Sequence, residues 1–246
     1  MIGPAGEDFV KRYRLEYNLE ALERVREDLN EEAYSRLKAL VEYRLRGKEL
    51  DRSPVGVRVV VAFSGGSDST TALKVLRWAG FEVVPVTVRL PQMGEQVVRN
   101  ALGEGAVLIE VPGYLEEMRE RIAKKAPICG RCHGMVMNAV ENYAREKGIK
   151  IIASGDLLSS GLISIYKKDD LVILNLPAFL AMDKEEAIAM LGRDYELTFG
   201  CPLWKEAAKK APSLKRFGIQ RVLRELRARA LKPGMAEELI LDILRG

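Results

Sequence analysis

The sequence predicts an α/β protein with a doubly wound parallel sheet and helical additions at both ends, and three observations predict it. A β-branched run at 57–61 passes through a Gly/Ser turn into a run at 71–78 whose apolar residues, Ala72, Leu73, Leu76 and Ala79, fall at helical spacing. Further strand-like runs at 81–90, 106–111, 149–153 and 171–176 alternate with helix-patterned stretches, as a parallel sheet with crossover helices requires. The residues before and after this alternation, 7–50 and 205–232, read as helices. The expected organisation is therefore a helical extension over 1–53, a central α/β domain over 54–203 and a basic helical segment over 204–246.

In chain order, Phe9, Val10, Tyr13, Tyr17, Leu22, Val25 and Leu29 trace one apolar stripe. Asn30 is placed to cap a second helix carrying Leu37, Val41 and Leu45. This helical pair is expected to pack on the main domain or on a second subunit, and it carries no evident chemistry. Asp51-Arg52-Ser53-Pro54 ends it. After the first strand, turn and helix, Gly80 closes the helix and the strand at 81–90 ends on Thr87, Val88 and Arg89. In a doubly wound sheet ligands bind beyond the carboxyl ends of the strands, so these three are placed to meet a nucleoside. A helix at 96–102, a strand at 106–111, a helix carrying Met135, Val136, Ala139, Val140 and Tyr143, and a strand at 149–153 follow. The strand at 171–176 and a helix at 184–191, capped by Asp183, complete the alternation.

A chain of 246 residues that is 48% hydrophobic can fill a sizeable core. Its first residues lack a basic and apolar leader pattern, and no apolar run reaches membrane-spanning length, so a soluble cytoplasmic protein with no membrane partner is expected. Charged residues at 30%, with sparse Asn and Gln, lean toward a heat-adapted source. Between 205 and 232, ten Lys/Arg stand against Glu206 and Glu225, which concentrates the positive charge of a +4 chain at its end. Ile219, Val222, Leu223 and Leu226 form the expected buried stripe there, leaving Arg221, Arg224 and Arg227 on an arc that could grip an RNA backbone or simply be solvated.

The stretch Ala62-Phe63-Ser64-Gly65-Gly66-Ser67-Asp68-Ser69-Thr70 is the most informative. A helix starting in such a turn points unpaired N–H groups and the positive end of its dipole above the strand, where a phosphate fits. The glycines allow close backbone approach, and the Ser and Thr hydroxyls add donors. With no lysine in the loop it is neither a Walker A loop nor a G-x-G-x-x-G turn. It resembles the Ser-Gly-Gly-x-Asp-Ser signature of the PP-loop ATP pyrophosphatases, which split ATP into AMP and pyrophosphate and usually adenylate a substrate on the way. That resemblance implies the adenine nucleotide alpha hydrolase-like form of the fold, with ATP held at residues 62–70, at Thr87, Val88 and Arg89, and at Gly155 and Asp156. Relatives carry Gly-His-x-x-Asp-Asp after the strand at 149–153. Here Gly155 is kept, Asp156 replaces the histidine, and Ser159 and Ser160 replace the acidic pair, which leaves Asp68 and Asp156 as candidate magnesium ligands.

Pro127-Ile128-Cys129-Gly130-Arg131-Cys132-His133-Gly134 and a third cysteine, Cys201, before Pro202 form the second constellation. An odd cysteine count argues against a disulfide framework. Three readings are open: an iron–sulfur cluster on Cys129, Cys132 and Cys201 with one iron left for substrate or sulfide; zinc with His133 as fourth ligand, awkward because it adjoins Cys132; or a persulfide-carrying redox pair using Cys201. With the phosphate turn, the pattern is similar to the three-cysteine tRNA 2-thiolation enzymes of the PP-loop superfamily over roughly 57–202. The resemblance implies ATP, magnesium and a 4Fe–4S cluster as cofactors, with Asp68 and the three cysteines in catalysis. It also implies tRNA and a sulfur donor, protein or sulfide, as partners, with a homodimer as a further candidate assembly. The alternatives are a PP-loop ligase acting on a small acid with zinc, and a nucleotide-binding protein without turnover.

Overall fold

The structure, a computed structural model, describes residues 2–157, 164–192, 197 and 199–245. Helices α1 (Phe9–Arg24) and α2 (Glu31–Arg46) precede β1 (Arg58–Ala62), α3 (Ser67–Trp78), β2 (Glu82–Val88), α4 (Glu95–Gly103) and β3 (Val107–Ile109). Then come α5 (Tyr114–Ala123), α6 (Cys129–Glu146), β4 (Ile151–Ser154), β5 (Ile165–Lys168), β6 (Leu171–Asn175) and α7 (Leu176–Phe179). The chain continues through α8 (Lys184–Ala189), α9 (Pro202–Lys210), α10 (Lys215–Arg227) and α11 (Pro233–Arg245).

The strands form one sheet in the order β3-β2-β1-β4-β6-β5, parallel except for β5, which pairs antiparallel with β6. The chain winds outward from β1 through β2 and β3, then returns to start β4 on β1's other side. The carboxyl ends of β1 and β4 thus flank the point where the winding reverses, the place where a doubly wound sheet opens a crevice. Alternation along each strand divides the core between the two faces. Val59, Val61, Ala153, Val172 and Leu174 pack with α1, α2 and α3, while Val60, Ile152, Leu171 and Ile173 pack with Val140 and Ala144 of α6. A third core joins α5 to α9, α10 and α11 through Met118, Trp204, Val222 and Ile243.

The expected fold class is the observed one, with differences in detail. Asn30 caps α2 by accepting from Ala33 N–H at 2.8 Å, and Leu37, Val41 and Leu45 are buried. Of the stripe assigned to α1, Leu22 and Val25 are buried as expected, but its start is out of phase: Phe9 and Tyr13 are 77% and 59% exposed, and Leu15, Asn18 and Ala21 are buried instead. The buried asparagine accounts for the shift, since Asn18 donates its amide to the carbonyls of Ala178 (3.1 Å) and Phe179 (2.8 Å) and so lies comfortably inside. On α10, Val222 is fully buried but Leu223 is 47% exposed, because the face against α11 runs through Val222 toward Ala236, Leu239 and Ile243. Helix α5 and strand β5 were not expected. Strand β5 is short and half lysine, and its hairpin to β6 turns on Asp169, whose φ is +55°. No helix among the described residues is long and apolar enough to cross a membrane.

Candidate active site

The phosphate-type turn leaves β1 at Ala62, and α3 begins at Ser67 with Gly66 as its N-cap. The helix therefore starts earlier than its apolar spacing predicts, and Ser67, Asp68 and Ser69 form its first turn. Gly66 has no side chain to cap with, so the first-turn amides keep their capacity for an anion. Ser69 holds the loop together: its Oγ accepts from Ser64 N–H (3.2 Å), lies 3.1 Å from Ser64 Oγ and donates to Gly66 O (3.2 Å). Gly65 occupies the left-handed region at φ +74°, which lets the chain reverse between strand and helix. Thr87, at the end of β2, is buried and donates its hydroxyl to Phe63 O at 2.7 Å. It supports the loop from beneath.

Gly155 follows β4 and presses against the start of α3. A Cβ there would lie 2.5 Å from Ser69 N and 2.6 Å from Asp68 C, so only glycine permits this approach. The next residue, Asp156, receives Ser154 Oγ at 3.2 Å, and that hydroxyl also lies 2.8 Å from Asn175 Oδ1. A cleft of about 850 Å³ opens here, with Asp68, Gly155, Asp156, Lys184 and Cys129 in its wall. Lys184, the first residue of α8, donates to Ser67 Oγ and Asp68 Oδ1, each at 2.7 Å. The turn thus has a lysine after all, contributed from a distant helix.

The three cysteines converge on an adjoining, largely apolar pocket of about 270 Å³. Cys129, Cys132 and Cys201 line it together with Ala62, Phe63, Ser64, Val88 and Tyr114. Cys129 opens α6, Cys132 lies one turn further, and Cys201 caps α9 ahead of Pro202. Cys129 and His133 border both the pocket and the large cleft. Burial of its sulfur, reinforced by the nearby Cys201, pushes the Cys129 thiol up to about 11, although the residue as a whole is exposed. Burial likewise raises Cys132, against the opposing effect of a 3.1 Å hydrogen bond with Tyr114 Oη. Gln92 donates to the same Tyr114 oxygen at 2.8 Å.

The raised thiols of Cys129 and Cys132 suit a site whose charge arrives with a metal, since a coordinating cation deprotonates them. Three cysteines around one pocket are the kind of donor that iron–sulfur clusters take as ligands. The donor set therefore fits a cluster held by three cysteines.

Of the other sequence candidates, Val88 lines the pocket, while Arg89 is exposed and its N–H bonds Ile109 O at 2.8 Å. Arg221 and Arg224 line the same large cleft as Asp68 and Asp156, whereas Arg227 is not in its wall. Arg221 is partnered by Glu225 at 2.9 Å. Thr70 is buried in α3, its N–H bonded to Gly66 O at 3.0 Å, so its amide is not available to a ligand. Ser159 and Ser160 lie outside the described residues. Sequence reasoning missed Lys184 and Tyr114. The Asp183 cap placed α8, but nothing local indicated that α8 abuts α3.

No protein-family model matches the chain. It is 34% identical to an uncharacterized protein of Methanocaldococcus jannaschii over 96% of its own length and 94% of that protein's. It is 29% identical to a probable tRNA sulfurtransferase of Thermococcus kodakarensis, over 55% of this chain and 40% of the relative. A tRNA-cytidine(32) 2-sulfurtransferase of Legionella pneumophila is 28% identical over 55% of this chain and 52% of its own. The chain thus spans about half, or less, of the tRNA-modifying relatives it matches. A solved structure, a U34-tRNA thiolase from Methanococcus maripaludis with its 4Fe–4S cluster, overlaps 87% of this chain and 78% of its own with a TM-score of 0.45 at 12% identity.

Proposed function

Because the chain belongs to the PP-loop superfamily, in one family with the M. jannaschii protein, we propose that it uses ATP to adenylate a carbonyl-type oxygen of a tRNA base and then puts sulfur in place of the departing AMP. The observation that carries this reading is Cys129, which borders both the cleft holding Asp68, Asp156 and Lys184 and the pocket holding Cys132 and Cys201. Activation of the carbonyl oxygen and sulfur delivery to the carbon that bears it would then take place without moving the substrate between sites.

In the first step the base oxygen attacks the α-phosphorus and pyrophosphate leaves. The first-turn amides of α3 and the Lys184 ammonium face the charge that grows on the phosphate oxygens. Asp68 and Asp156 would hold magnesium, which would supply positive charge to offset that of the phosphates. The Lys184–Asp68 pair at 2.7 Å must loosen for that, so binding of magnesium and nucleotide would exchange one ionic partner for another. In the second step sulfur at the sulfide level attacks the carbon, and the C–O bond breaks with its electron pair leaving on AMP. A carbonyl oxygen leaves poorly and AMP leaves well, which is the reason for spending ATP. Cys129, Cys132 and Cys201 would hold the iron–sulfur cluster, whose iron without a protein ligand would supply the position that binds sulfur. Arg221 and Arg224, facing the same cleft, would contact the phosphates flanking the target base, with Arg227 further out along the backbone. The sulfur donor, protein or sulfide, the cytoplasmic setting and assembly as a homodimer belong to the same proposal.

The test is anaerobic purification with iron, sulfide and zinc assays on the unsubstituted protein and Cys201→Ala, together with pyrophosphate release on unmodified tRNA. About four irons and four sulfides per chain, lost in the variant, and tRNA-dependent pyrophosphate are expected. Stoichiometric zinc without sulfide would instead indicate a ligase for a small acid. Nucleotide binding without pyrophosphate release would indicate a protein that does not turn over.

A further inference from the structure

We propose that the N-terminal helical pair is part of the ATP site's working geometry, with Lys11 as a positioning residue that sets the place of the Lys184 ammonium through the cap of α8. This inference rests on the activity reading above.

Helix α8 has six residues, far too few to be stable alone, and buries only Ala187. Its place is fixed by what grips it. Asp183 caps it in a reciprocal capping box with Glu186. Lys11 of α1 donates to both members of that box, to Asp183 Oδ2 at 2.7 Å and Glu186 Oε2 at 2.8 Å. Arg44 of α2, wholly buried, reaches Glu186 at 2.9 and 3.2 Å and donates to Leu180 O at 3.2 Å. Asn18 of α1 holds the carbonyls of Ala178 and Phe179 in the segment leading in. From the other side, α3 bonds α8 through Thr71 to Ala187 O (3.2 Å) and Lys74 to Met190 O (2.8 Å). Lys184 follows directly on the residue that Lys11 grips, and its side chain ends on Ser67 and Asp68 of the phosphate turn. Its own N–H bonds Ala230 O at 2.8 Å. The helix that carries the site's lysine is thus suspended between α3 and the extension, and the pair Lys11–Asp183 lies one residue from that lysine.

Small displacements of a group that meets transferring charge cost up to about a hundredfold in rate, so slackening this attachment should weaken the nucleotide's hold without unfolding the sheet. Arg44 is unsuitable as a probe, since removing one partner of a buried pair risks the fold. The informative variants are Lys11→Met and Asp183→Asn, the latter keeping a good capping residue while removing the charge that Lys11 grips. The measurement is calorimetric affinity for the magnesium complex of β,γ-imido-ATP, with melting temperature recorded for each variant. Lys11→Met should bind about tenfold more weakly, and Asp183→Asn about threefold. Lys11→Met added to Lys184→Met should cause no further loss, because a residue acting through Lys184 has nothing left to act on. If both variants bind as tightly as the unsubstituted protein, or if Lys11→Met costs the same factor with Lys184 absent, the positioning role is wrong. If the unsubstituted protein binds no nucleotide, the activity reading itself fails, and the inference with it.

Discussion

The two ends of the cleft prepare for their ligands in opposite ways. At the phosphate end the groups are already engaged with one another: Ser69 ties Ser64 to Gly66, and Lys184 holds Ser67 and Asp68. A ligand arriving there replaces bonds that exist. At the cysteine end the three cysteines share a pocket with Val88, Phe63 and other apolar side chains, and burial raises the thiols of Cys129 and Cys132. A ligand arriving there brings the charge that the site lacks. The difference teaches that one end is organised by polar contacts and the other by exclusion of water, so the two should fail independently.

The largest effect that would test this independence is at Lys184. Lys184→Met should lower pyrophosphate release about a hundredfold, the scale expected for one electrostatic stabiliser, while iron content per chain stays unchanged; loss of iron as well would break the separation. Gly155→Ala comes next. The added methyl meets the α3 backbone at about 2.5 Å, so a stability loss of about 1–3 kcal/mol is expected by denaturant titration, with weakened nucleotide binding and a cysteine pocket that still takes up iron. At the other end, Tyr114→Phe removes the hydrogen bond to Cys132 and should weaken metal retention about tenfold under a chelator, leaving nucleotide affinity as it was. The smallest effect is in pH. Because burial raises the Cys129 thiol from 9.0 to about 11, it keeps its proton to higher pH, and only the thiolate reacts. Iodoacetamide labelling of Cys129 in the metal-free protein should therefore keep accelerating from pH 9 toward 11; a plateau near pH 9 would mean that the pocket is wet.

What could be read in advance follows the same division between local and distant causes. The strand, turn and first helix of the phosphate loop are contiguous and governed by periodicity and turn chemistry, so their order was legible, although the helix begins at Ser67 and takes in residues read as turn. The Asn30 cap and the Asp183 cap were legible for the same reason. Lys184 was not, because its partner Asp68 lies 116 residues away and only the packing of α8 on α3 brings them together. The face of α1 was misread because hydrophobicity says nothing of a buried Asn18 satisfied by two carbonyls, nor of two aromatic rings left stacked in solvent, Phe9 and Tyr13, 6.4 Å apart. Arg221 and Arg224 were expected on an outward arc, and their facing the cleft depends on how α10 packs against the rest.

The antiparallel turn-back of β5 has a consequence for how copies of this chain meet. A parallel sheet ending on β6 would expose a five-residue strand, Leu171–Asn175, all of it apolar or uncharged, as a template for another chain. Strand β5 covers that template with a four-residue edge in which Lys167 pairs with Asp28 and Lys168 with the buried Glu141 of α6. The opposite edge, β3, is only three residues long. Neither border therefore favours strand addition, and crowded or partly heated solutions of the folded protein should resist the edge-to-edge growth that leads to fibres.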